Sequence, residues 1–470
     1  MTGIRCVGFA QAVCLVLAAA GASEAGLQIG SDRQVFVDRF LISEMRGLSL
    51  ELHAPVPREV AIAFDRPWEG NTSCLASVMK DGSRFRMWYR VSAGNQDSEA
   101  MTAYAESRDG IRWEKPSLGL MAFRGSKDNN LVWPPEGVHG RNMCVFKDPN
   151  PGVPEGERYK AIVHSNAIYG LVSADGLRWR PVAPEPLIAP IKEEAHSDGP
   201  HTVFWDPWQR KYVIYRRGWW GENRTIRRST SADFRKWSAP EFVDIVFGAS
   251  PREQFYTNSC TPYDRAPGVY FMFPKRFVEE RTFFPEWPFP GQSDIGFLSS
   301  RDGIHWGRTF REAWIRPGLD PKNWHERSME FGWGIVPTGP AELSMYMDEH
   351  VRTDAAHIRR VTIRPDGFVS VHAGYDGGDL ITRPLVFTGR RLSLNYSTSA
   401  SGSVRVELLN SFGRPVAGFG AAESQEIFGD ELERTVTWAG KSDAGALAGQ
   451  PVRLRFLLRD ADLYSFRFTE

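Results

Sequence analysis

The chain lacks a net charge of either sign, because its 470 residues carry 57 basic and 57 acidic side chains. Proteins that bind nucleic acid or an anionic membrane by charge have a basic excess, so this balance argues against both partners. Long apolar runs are absent after the first 20 residues, and we therefore predict no membrane span. Helical spacing of apolar residues is also rare, and the 44 glycines and 31 prolines argue against a helical fold.

Cysteine is scarce as well. Cys6 and Cys14 lie near the N-terminus, which leaves Cys74, Cys144 and Cys260, an odd number without metal-type spacing. We expect buried thiols, and one disulfide with one free thiol is the alternative. We predict no metal site and no organic cofactor, and no motif supports a structural calcium ion in an axial channel.

The N-terminus has the pattern of a secretory signal. Arg5 precedes a mostly apolar stretch over residues 7–20, and Ser23 and Ala25 form a small-x-small cleavage site before Gly26. We therefore predict a signal peptide over residues 1–25 and a secreted or periplasmic location.

The chain does contain a phrase that it repeats four times, at residues 107–113, 173–179, 231–237 and 300–306. Each copy reads Ser-x-Asp and ends in Trp, and three copies have Gly after the Asp. Asp-Gly favours the positive backbone dihedral of a tight hairpin, and the Ser side chain can bond the free amides of the turn. We expect the Trp to begin the next strand and to bury its ring.

The copies recur every 60–70 residues or so, which indicates a repeated supersecondary unit. Each unit has a polar opening, a strand and an aromatic strand before the turn. A fifth unit lacks the phrase but ends in the turn Asp366-Gly367. Five such units predict a five-bladed β-propeller over residues 26–375, with residues 26–60 as a lead-in packed on its outside.

Beyond residue 376 the pattern changes to a clean alternation of apolar and polar residues, as in residues 403–408 and 452–456. Period-two alternation is typical of strands with one wet face, so we predict a C-terminal β-sandwich over residues 376–470. The predicted fold class is therefore all-β throughout.

Several stretches resemble a known superfamily: residues 67–70, 104–110, 231–234, 364–370 and 463–466. They are similar to the five-bladed β-propeller glycoside hydrolases, which include invertase-type (family 32) and arabinanase-type (family 43) enzymes, and to exported bacterial proteins of the family-32-like kind. The resemblance implies a hydrolase that cleaves glycosidic bonds of an oligo- or polysaccharide.

The chain departs from the superfamily in its first unit, which lacks the usual Asp beside Pro-Asn-Gly. Asp148 begins an Asp-Pro-Asn-Pro run in the second unit that looks like this motif, although we favour a hairpin turn there. The repeated phrase also resembles the Asp-box of sialidases, with a different spacing between Asp and Gly.

Glycoside hydrolysis requires two carboxyl groups, one protonated and one ionised. In a propeller, residues at the starts of the innermost strands face one axial funnel. The catalytic candidates at such positions are Asp198, Glu69, Glu330 and Asp148. Asp198 leads, because it precedes a clear inner strand in the central unit.

Polar and aromatic residues near these openings are candidates for contacts with sugar hydroxyls. They are Trp68, Asn71, His196, Arg217, Tyr256 and Asn258. The expected partner is a carbohydrate, and the sequence carries no signal for an oligomeric state. Two other interpretations stay open: a non-catalytic carbohydrate-binding propeller, and a sialidase-like enzyme with an arginine cluster and a Tyr–Glu pair.

Overall fold

A computed structural model describes residues 26–93, 100–134, 141–165, 167–192, 194, 199–246 and 253–470. Within these ranges the protein is all-β, as predicted. The helical segments there are three short 3-10 turns, Glu155–Glu157, Pro321–Asn323 and Gly445–Leu447. A search of the same ranges finds no helix with the length and apolarity needed to cross a membrane. The predicted signal peptide, residues 1–25, lies outside the described residues.

The strands fall into groups along the chain. The first group is β1 Leu27–Gly30, β2 Gln34–Val35, β3 Ile42–Arg46, β4 Leu48–Leu52 and β5 Val56–Ala63. Sheet I contains β6 Cys74–Asp81, β7 Arg84–Ser92, β8 Ala100–Ser107 and β9 Leu131–Trp133. Sheet II contains β10 Arg141–Lys147, β11 Tyr159–His164, β12 Ile168–Ser173 and β13 Arg180–Pro181. Sheet III contains β14 Thr202–Asp206, β15 Lys211–Trp220, β16 Asn223–Ser231 and β17 Glu241–Phe242.

The fourth repeat unit is divided. Its strands are β18 Asp244–Ile245, β19 Gln254–Phe255, β20 Thr261–Pro262, β21 Tyr270–Met272, β22 Lys275–Val278, β23 Gln292–Ile295, β24 Leu298–Ser300 and β25 His305–Gly307. β18, β20, β21, β24 and β25 form sheet IV, and β19, β22 and β23 form a separate three-stranded ribbon. Sheet V contains β26 Glu330–Phe331, β27 Val336–Gly339, β28 Glu342–Glu349 and β29 His357–Ile363, and β5 pairs with β29 as its outer strand.

The last group is β30 Val369–Ala373, β31 Gly378–Thr382, β32 Leu385–Phe387, β33 Arg391–Asn410, β34 Asp430–Thr435 and β35 Val452–Thr469. Hydrogen bonds join these strands and β1–β4 into one ten-stranded C-terminal sheet. Phe36, Trp438, Phe456 and Phe466 belong to its buried core. The two-layered sandwich itself stays a prediction.

The N-terminal lead-in contacts two parts of the fold. Its strands β1–β4 pair with β30, β31, β32 and β35 at the far end of the chain. Val35 of β2 and Leu50 and Leu52 of β4 also pack against apolar residues of sheets IV and V, among them Phe271 and Met345. In β4 the leucines alternate with exposed polar residues, so one face of the strand is buried and the other is exposed.

The structure confirms the chemistry predicted for the repeated turn. The Ser107 Oγ accepts hydrogen bonds from the amides of Asp109 and Gly110, at 3.2 and 2.8 Å. Gly110 has φ +73°, and Phe234 takes φ +63° at the same place in the third copy. The prediction for the Trp holds fully in one copy, because the Trp306 ring is completely buried while its three counterparts are partly buried.

Each turn also contacts the sheet that precedes it. A side chain in or beside each sheet contacts the turn of the next sheet, and a side chain of sheet V contacts the turn of sheet I. The series of contacts is therefore closed. They are Trp88 Nε1 to the Gly176 carbonyl (2.8 Å), Glu157 to Arg235 (2.8 Å), the Tyr215 hydroxyl to the Gly303 carbonyl (2.6 Å), the Tyr263 hydroxyl to Asp366 (2.7 Å) and the Tyr346 hydroxyl to the Gly110 carbonyl.

Residues in or beside the first strands of the sheets make a second circle of contacts. These contacts are Val145 with Ser77, Cys144 with Val203, Thr202 with Asn258, Ser259 with Phe331, and Trp333 with Val78. A cavity of about 20 Å³ lies between them, lined in part by Ala76, Cys144, His201 and Trp333. The starts of strands that are remote in sequence therefore meet at one place.

The contact between Tyr215 and Gly303 gives a measurable prediction. Replacing Tyr215 by Phe removes the hydroxyl and leaves a buried carbonyl without its donor. We expect a loss of about 1–2 kcal/mol in the free energy of unfolding, measured by urea denaturation. Tyr375→Phe is the control, because Tyr375 is exposed and should be neutral. Equal stability of the two variants would contradict a structural role for the turn contact.

Candidate functional site

Two carboxyl groups face each other at the start of sheet V. Glu330 in β26 and Asp348 in β28 are directly opposite residues of an antiparallel pair, so their side chains point to the same face. One carboxylate oxygen of each residue and the Cys74 Sγ lie within 4.8 Å of one another, and all three residues are buried. Cys74 begins β6, the first strand of sheet I. The site thus joins the two ends of the repeat region.

Cations surround Glu330. The Lys275 Nζ, fully buried on β22, donates a hydrogen bond of 2.6 Å to Glu330 Oε1, and the Arg327 Nε lies 4.0 Å from the same oxygen. Burial acts to raise the pKa of Glu330, but the charges of Lys275 and Arg327 outweigh it and the pKa is lowered. Glu330 is therefore ionised at neutral pH. Its Oε2 has no hydrogen-bond partner among the described residues.

Asp348 has the opposite character. Burial, reinforced by the negative charge of Glu330, raises the pKa of Asp348 well above its usual value, although a hydrogen bond from the Leu75 amide opposes the shift. That amide donates to Asp348 Oδ2 at 2.7 Å, and Oδ1 finds no partner in the part of the chain that the structure describes. Leu75 has φ +62°, an unusual backbone conformation for a branched residue at the start of β6. The environment of Asp348 therefore favours its protonated form.

The site thus pairs a carboxyl group whose surroundings favour the protonated form with a carboxylate whose surroundings favour the ionised form, which is the arrangement of a general acid and a nucleophile. A metal ion fits the same residues poorly. Burial raises the pKa of the Cys74 thiol well above its usual value, whereas metal binding needs a thiolate. Lys275 already neutralises Glu330. The geometry therefore favours proton transfer.

A basic and aromatic wall flanks the carboxyl pair and includes two of the predicted binding residues. The guanidinium of Arg217 donates to the Tyr256 carbonyl at 3.0 and 2.6 Å, and its Cζ lies 4.0 Å from the centre of the Tyr256 ring. The Lys275 Nζ lies 4.5 Å from the same ring. Lys275 therefore links Tyr256, and through it Arg217, to Glu330, while the role of Arg217 and Tyr256 in binding sugar stays a prediction.

Glu69 has a different environment from the one expected of a catalytic acid. Its fully buried carboxylate accepts hydrogen bonds from two backbone amides of the preceding turn at 3.0 Å. It also accepts from the Tyr89 hydroxyl and the Lys115 Nζ, both at 2.6 Å. These four donors satisfy the carboxylate and hold the turn before β6. The catalytic role of Glu69 has no support from this geometry and stays a prediction.

Asp148 lies in the hairpin turn that we favoured for it. Its Oδ1 accepts from the Asn150 amide at 2.9 Å, and its Oδ2 contacts the Tyr212 hydroxyl (2.6 Å) and the Lys160 Nζ (2.7 Å). Asp206 and Tyr270 make the same contact between sheets III and IV at 2.6 Å. The Asp148 contact is therefore one of a repeated structural kind.

The remaining predicted residues are spread. Trp68 is buried and donates to Asn130 at 2.9 Å, and Asn258 is saturated by Thr202 and the Cys260 amide. Asn71 keeps a buried Oδ1 that no described residue bonds. Asp198 and His196 lie outside the described residues and stay predictions.

Asp348 and Lys275 are site residues that sequence reasoning missed. Asp348 directly follows the mostly apolar residues 343–347, and β28 continues past it to Glu349. The signal that the sequence offered was a charged residue at a position of the strand whose side chain is buried. Its opposition to Glu330 depends on a strand pairing that no local pattern reveals.

No protein-family model matches the chain. The chain is 33% identical over 113 residues to the uncharacterized protein MT1551 of Mycobacterium tuberculosis (strain CDC 1551 / Oshkosh), a match that covers 22% of this chain and 32% of that protein. The chain thus spans about a third of the length of that curated relative.

Solved structures similar to the chain include glycoside hydrolases. One, described as "Glycoside hydrolase", is 13% identical with a TM-score of 0.48, and the match covers 67% of this chain and 93% of that one. Another is an N-acetylgalactosamine deacetylase from F. plautii in complex with blood group B trisaccharide, at 11% identity and a TM-score of 0.47, covering 68% and 96%.

Proposed function

We propose that the protein is a glycoside hydrolase-like enzyme that cleaves glycosidic bonds of an oligo- or polysaccharide with Glu330 and Asp348 as paired carboxyl groups. One observation carries the proposal: the two residues are directly opposed, and their pKa values are displaced in opposite directions. Pairs of carboxyl groups with separated pKa values are the usual acid and base assignments of such enzymes.

In this mechanism Asp348 gives its proton to the leaving glycosidic oxygen as the bond from the anomeric carbon to that oxygen breaks. Glu330 attacks the anomeric carbon and forms a covalent ester. Asp348, now ionised, takes a proton from water, whose oxygen displaces Glu330. Carboxyl groups about 5–5.5 Å apart are typical of retaining enzymes. The close approach of this pair supports retention of configuration.

The proposal includes a five-bladed propeller built from sheets I to V, braced by the C-terminal sheet, in a protein exported through residues 1–25. The two circles of contacts among the sheets support the blade count, since both run through five members and return to sheet I. The composition of residues 7–25 supports export.

A non-catalytic carbohydrate-binding protein is the second candidate. The burial of the pair favours it, because Glu330 and Asp348 are only 2% and 1% exposed and Lys275 holds Glu330 in an ion pair. The sialidase-like alternative has less support. A Tyr–Glu pair exists at Tyr89 and Glu69, but no arginine side chain among the described residues contacts that carboxylate.

The experiment is a screen of aryl glycosides and of plant and algal polysaccharides against the wild type, Asp348→Asn, Asp198→Asn and Asp376→Asn. We expect turnover by the wild type, loss in Asp348→Asn, and no change in Asp376→Asn, whose side chain is exposed. Glycan binding without turnover by the wild type would favour the second candidate. Full turnover by Asp348→Asn would remove Asp348 from the mechanism, and loss in Asp198→Asn would bring Asp198 into it.

A further inference from the structure

A second cluster of titratable side chains lies on the C-terminal sheet. Glu51 of β4, His372 of β30 and Asp462 of β35 come from three neighbouring strands, with β30 in the middle. His372 is directly opposite Asp462, and Glu51 is opposite Ser370, two residues before His372. Residues two apart share a face, so all three side chains project from the same side of the sheet.

The ligand atoms of this cluster are close together. The His372 Nδ1 lies 3.0 Å from Asp462 Oδ1 and 3.5 Å from Glu51 Oε2, and all three ligand atoms lie within 4.8 Å of one another. Ligands bound tetrahedrally to zinc at about 2.0–2.2 Å stand roughly 3.3 Å apart. The separation of 3.5 Å between His372 and Glu51 is close to that spacing, and the shorter one, between His372 and Asp462, is that of a hydrogen bond.

A second imidazole adjoins the cluster. The His53 Nε2 lies 2.8 Å from the Ser370 Oγ, which donates to Asp462 Oδ1 at 2.7 Å. His53 is thus connected to the cluster through the Ser370 hydroxyl.

The charge of the cluster is not balanced by basic residues. No lysine or arginine side chain of the described ranges forms an ion pair with Glu51 or Asp462, and both contact only the imidazole of His372 and neutral groups. Elsewhere on the same sheet, acids have arginine partners: Arg455 bonds Asp379 at 3.0 Å. Two carboxylates that converge on an imidazole without such a partner form a site that a cation would neutralise.

We propose that Glu51, His372 and Asp462 bind a divalent transition metal of the zinc class, with His53 as a fourth ligand or a positioning residue. Imidazole with carboxylate oxygens suits zinc, whereas calcium prefers six or more oxygen ligands. The ligands come from both ends of the chain, so the metal ties β4 to β35 through β30. This site is separate from the carboxyl pair and independent of the proposed function.

The test is a titration of Zn²⁺ into the full chain after dialysis against a chelator, followed by calorimetry and by thermal unfolding. We expect one Zn²⁺ per chain and a rise in Tm, with both effects lost in His372→Ala and the affinity at least tenfold weaker in Glu51→Gln. His305→Ala is the control, because His305 is exposed and contacts only Asp302 of its turn.

Two results would overturn the proposal. One is stoichiometric Zn²⁺ binding that survives both His372→Ala and Glu51→Gln, which would place the metal elsewhere. The other is a wild type whose Tm does not respond to Zn²⁺, or responds equally to Ca²⁺. Because His372 and Glu51 are partly or largely exposed, both variants should fold, which their circular dichroism spectra check.

Discussion

Glu330→Gln is expected to abolish most of the hydrolytic activity, lowering kcat by about a thousandfold or more, because the amide cannot act as a nucleophile or accept the developing charge. It should also destabilise the protein. Lys275 would lose the carboxylate that neutralises its buried ammonium group, and breaking a buried ion pair costs about 3 kcal/mol or more. Kinetics on the best substrate of the screen and urea denaturation measure the two effects separately.

Asp348→Asn is the matched variant, because it should lose the same activity without the loss of stability. The surroundings of Asp348 favour its protonated form, which Asn matches in both shape and charge. The pKa of Asp348 is higher in the folded protein than in the unfolded chain, so protonation of this residue stabilises the folded state. The stabilisation is fully present below the carboxyl pKa of the unfolded chain and is lost as the pH rises through the pKa of the folded protein. We therefore expect the Tm of the wild type to fall with rising pH relative to that of Asp348→Asn.

Azide distinguishes the two roles. In Glu330→Ala the small anion can replace the missing nucleophile and yield a glycosyl azide of inverted configuration, whereas in Asp348→Asn it can only attack the ester on Glu330 and yield a glycosyl azide of retained configuration. Rescue of Glu330→Ala would support the covalent mechanism. Equal activity of the wild type and Glu330→Gln, in protein shown to be folded, would contradict the assignment.

The repeated turn was predictable because its chemistry is local. In the first copy the hydrogen bonds that form the turn run from the amides of residues 109–111 to the side chains of Ser107 and Asp109, so the local sequence contains every participant. The five units followed from the spacing of the turns. The pairing of β5 with β29 was not predictable in this way, because it joins residues 56–63 to residues 357–363 across the whole repeat region.

The same reasoning explains the mixed outcome at the candidate site. Glu69, Asp148 and Glu330 all follow a polar opening, and no local feature separates them. Their roles differ because Glu69 meets Lys115 and Asp148 meets Tyr212, while Glu330 meets the buried Asp348. These partners are fixed by the arrangement of sheets, so a sequence pattern nominates the acids but cannot rank them.

Asp366 shows how one acid joins the parts of the molecule. It lies in the turn after sheet V and is 1% exposed. Its Oδ1 accepts from the Tyr263 hydroxyl at 2.7 Å and the Arg265 Nε at 2.8 Å, and its Oδ2 accepts from the Ser465 Oγ at 2.7 Å. The guanidinium of Arg33 lies 3.3 Å from Oδ2. Sheet IV, the turn of sheet V, β35 and the N-terminal segment therefore meet at this carboxylate.

Asp366→Asn should consequently destabilise the protein by about 3 kcal/mol, because it removes the counter-charge of the partly exposed Arg265 and one of the two counter-charges of the buried Arg33. Asn tolerates the positive φ of +63° at this position, so the loss reports the charge rather than backbone strain. Asp302→Asn, at the partly exposed turn of sheet IV, should cost less than about 1 kcal/mol.

Burial acts to raise the pKa of Asp366, but Arg265 and Arg33 outweigh it and the pKa is lowered. The contribution of the charge is thus present above the usual carboxyl pKa and is lost as the pH falls through the lowered value. Urea denaturation from pH 7 downwards should show that the difference in unfolding free energy between the wild type and Asp366→Asn becomes smaller in acid. A difference that is small at pH 7, or constant with pH, would show that this carboxylate does not hold the sheets together.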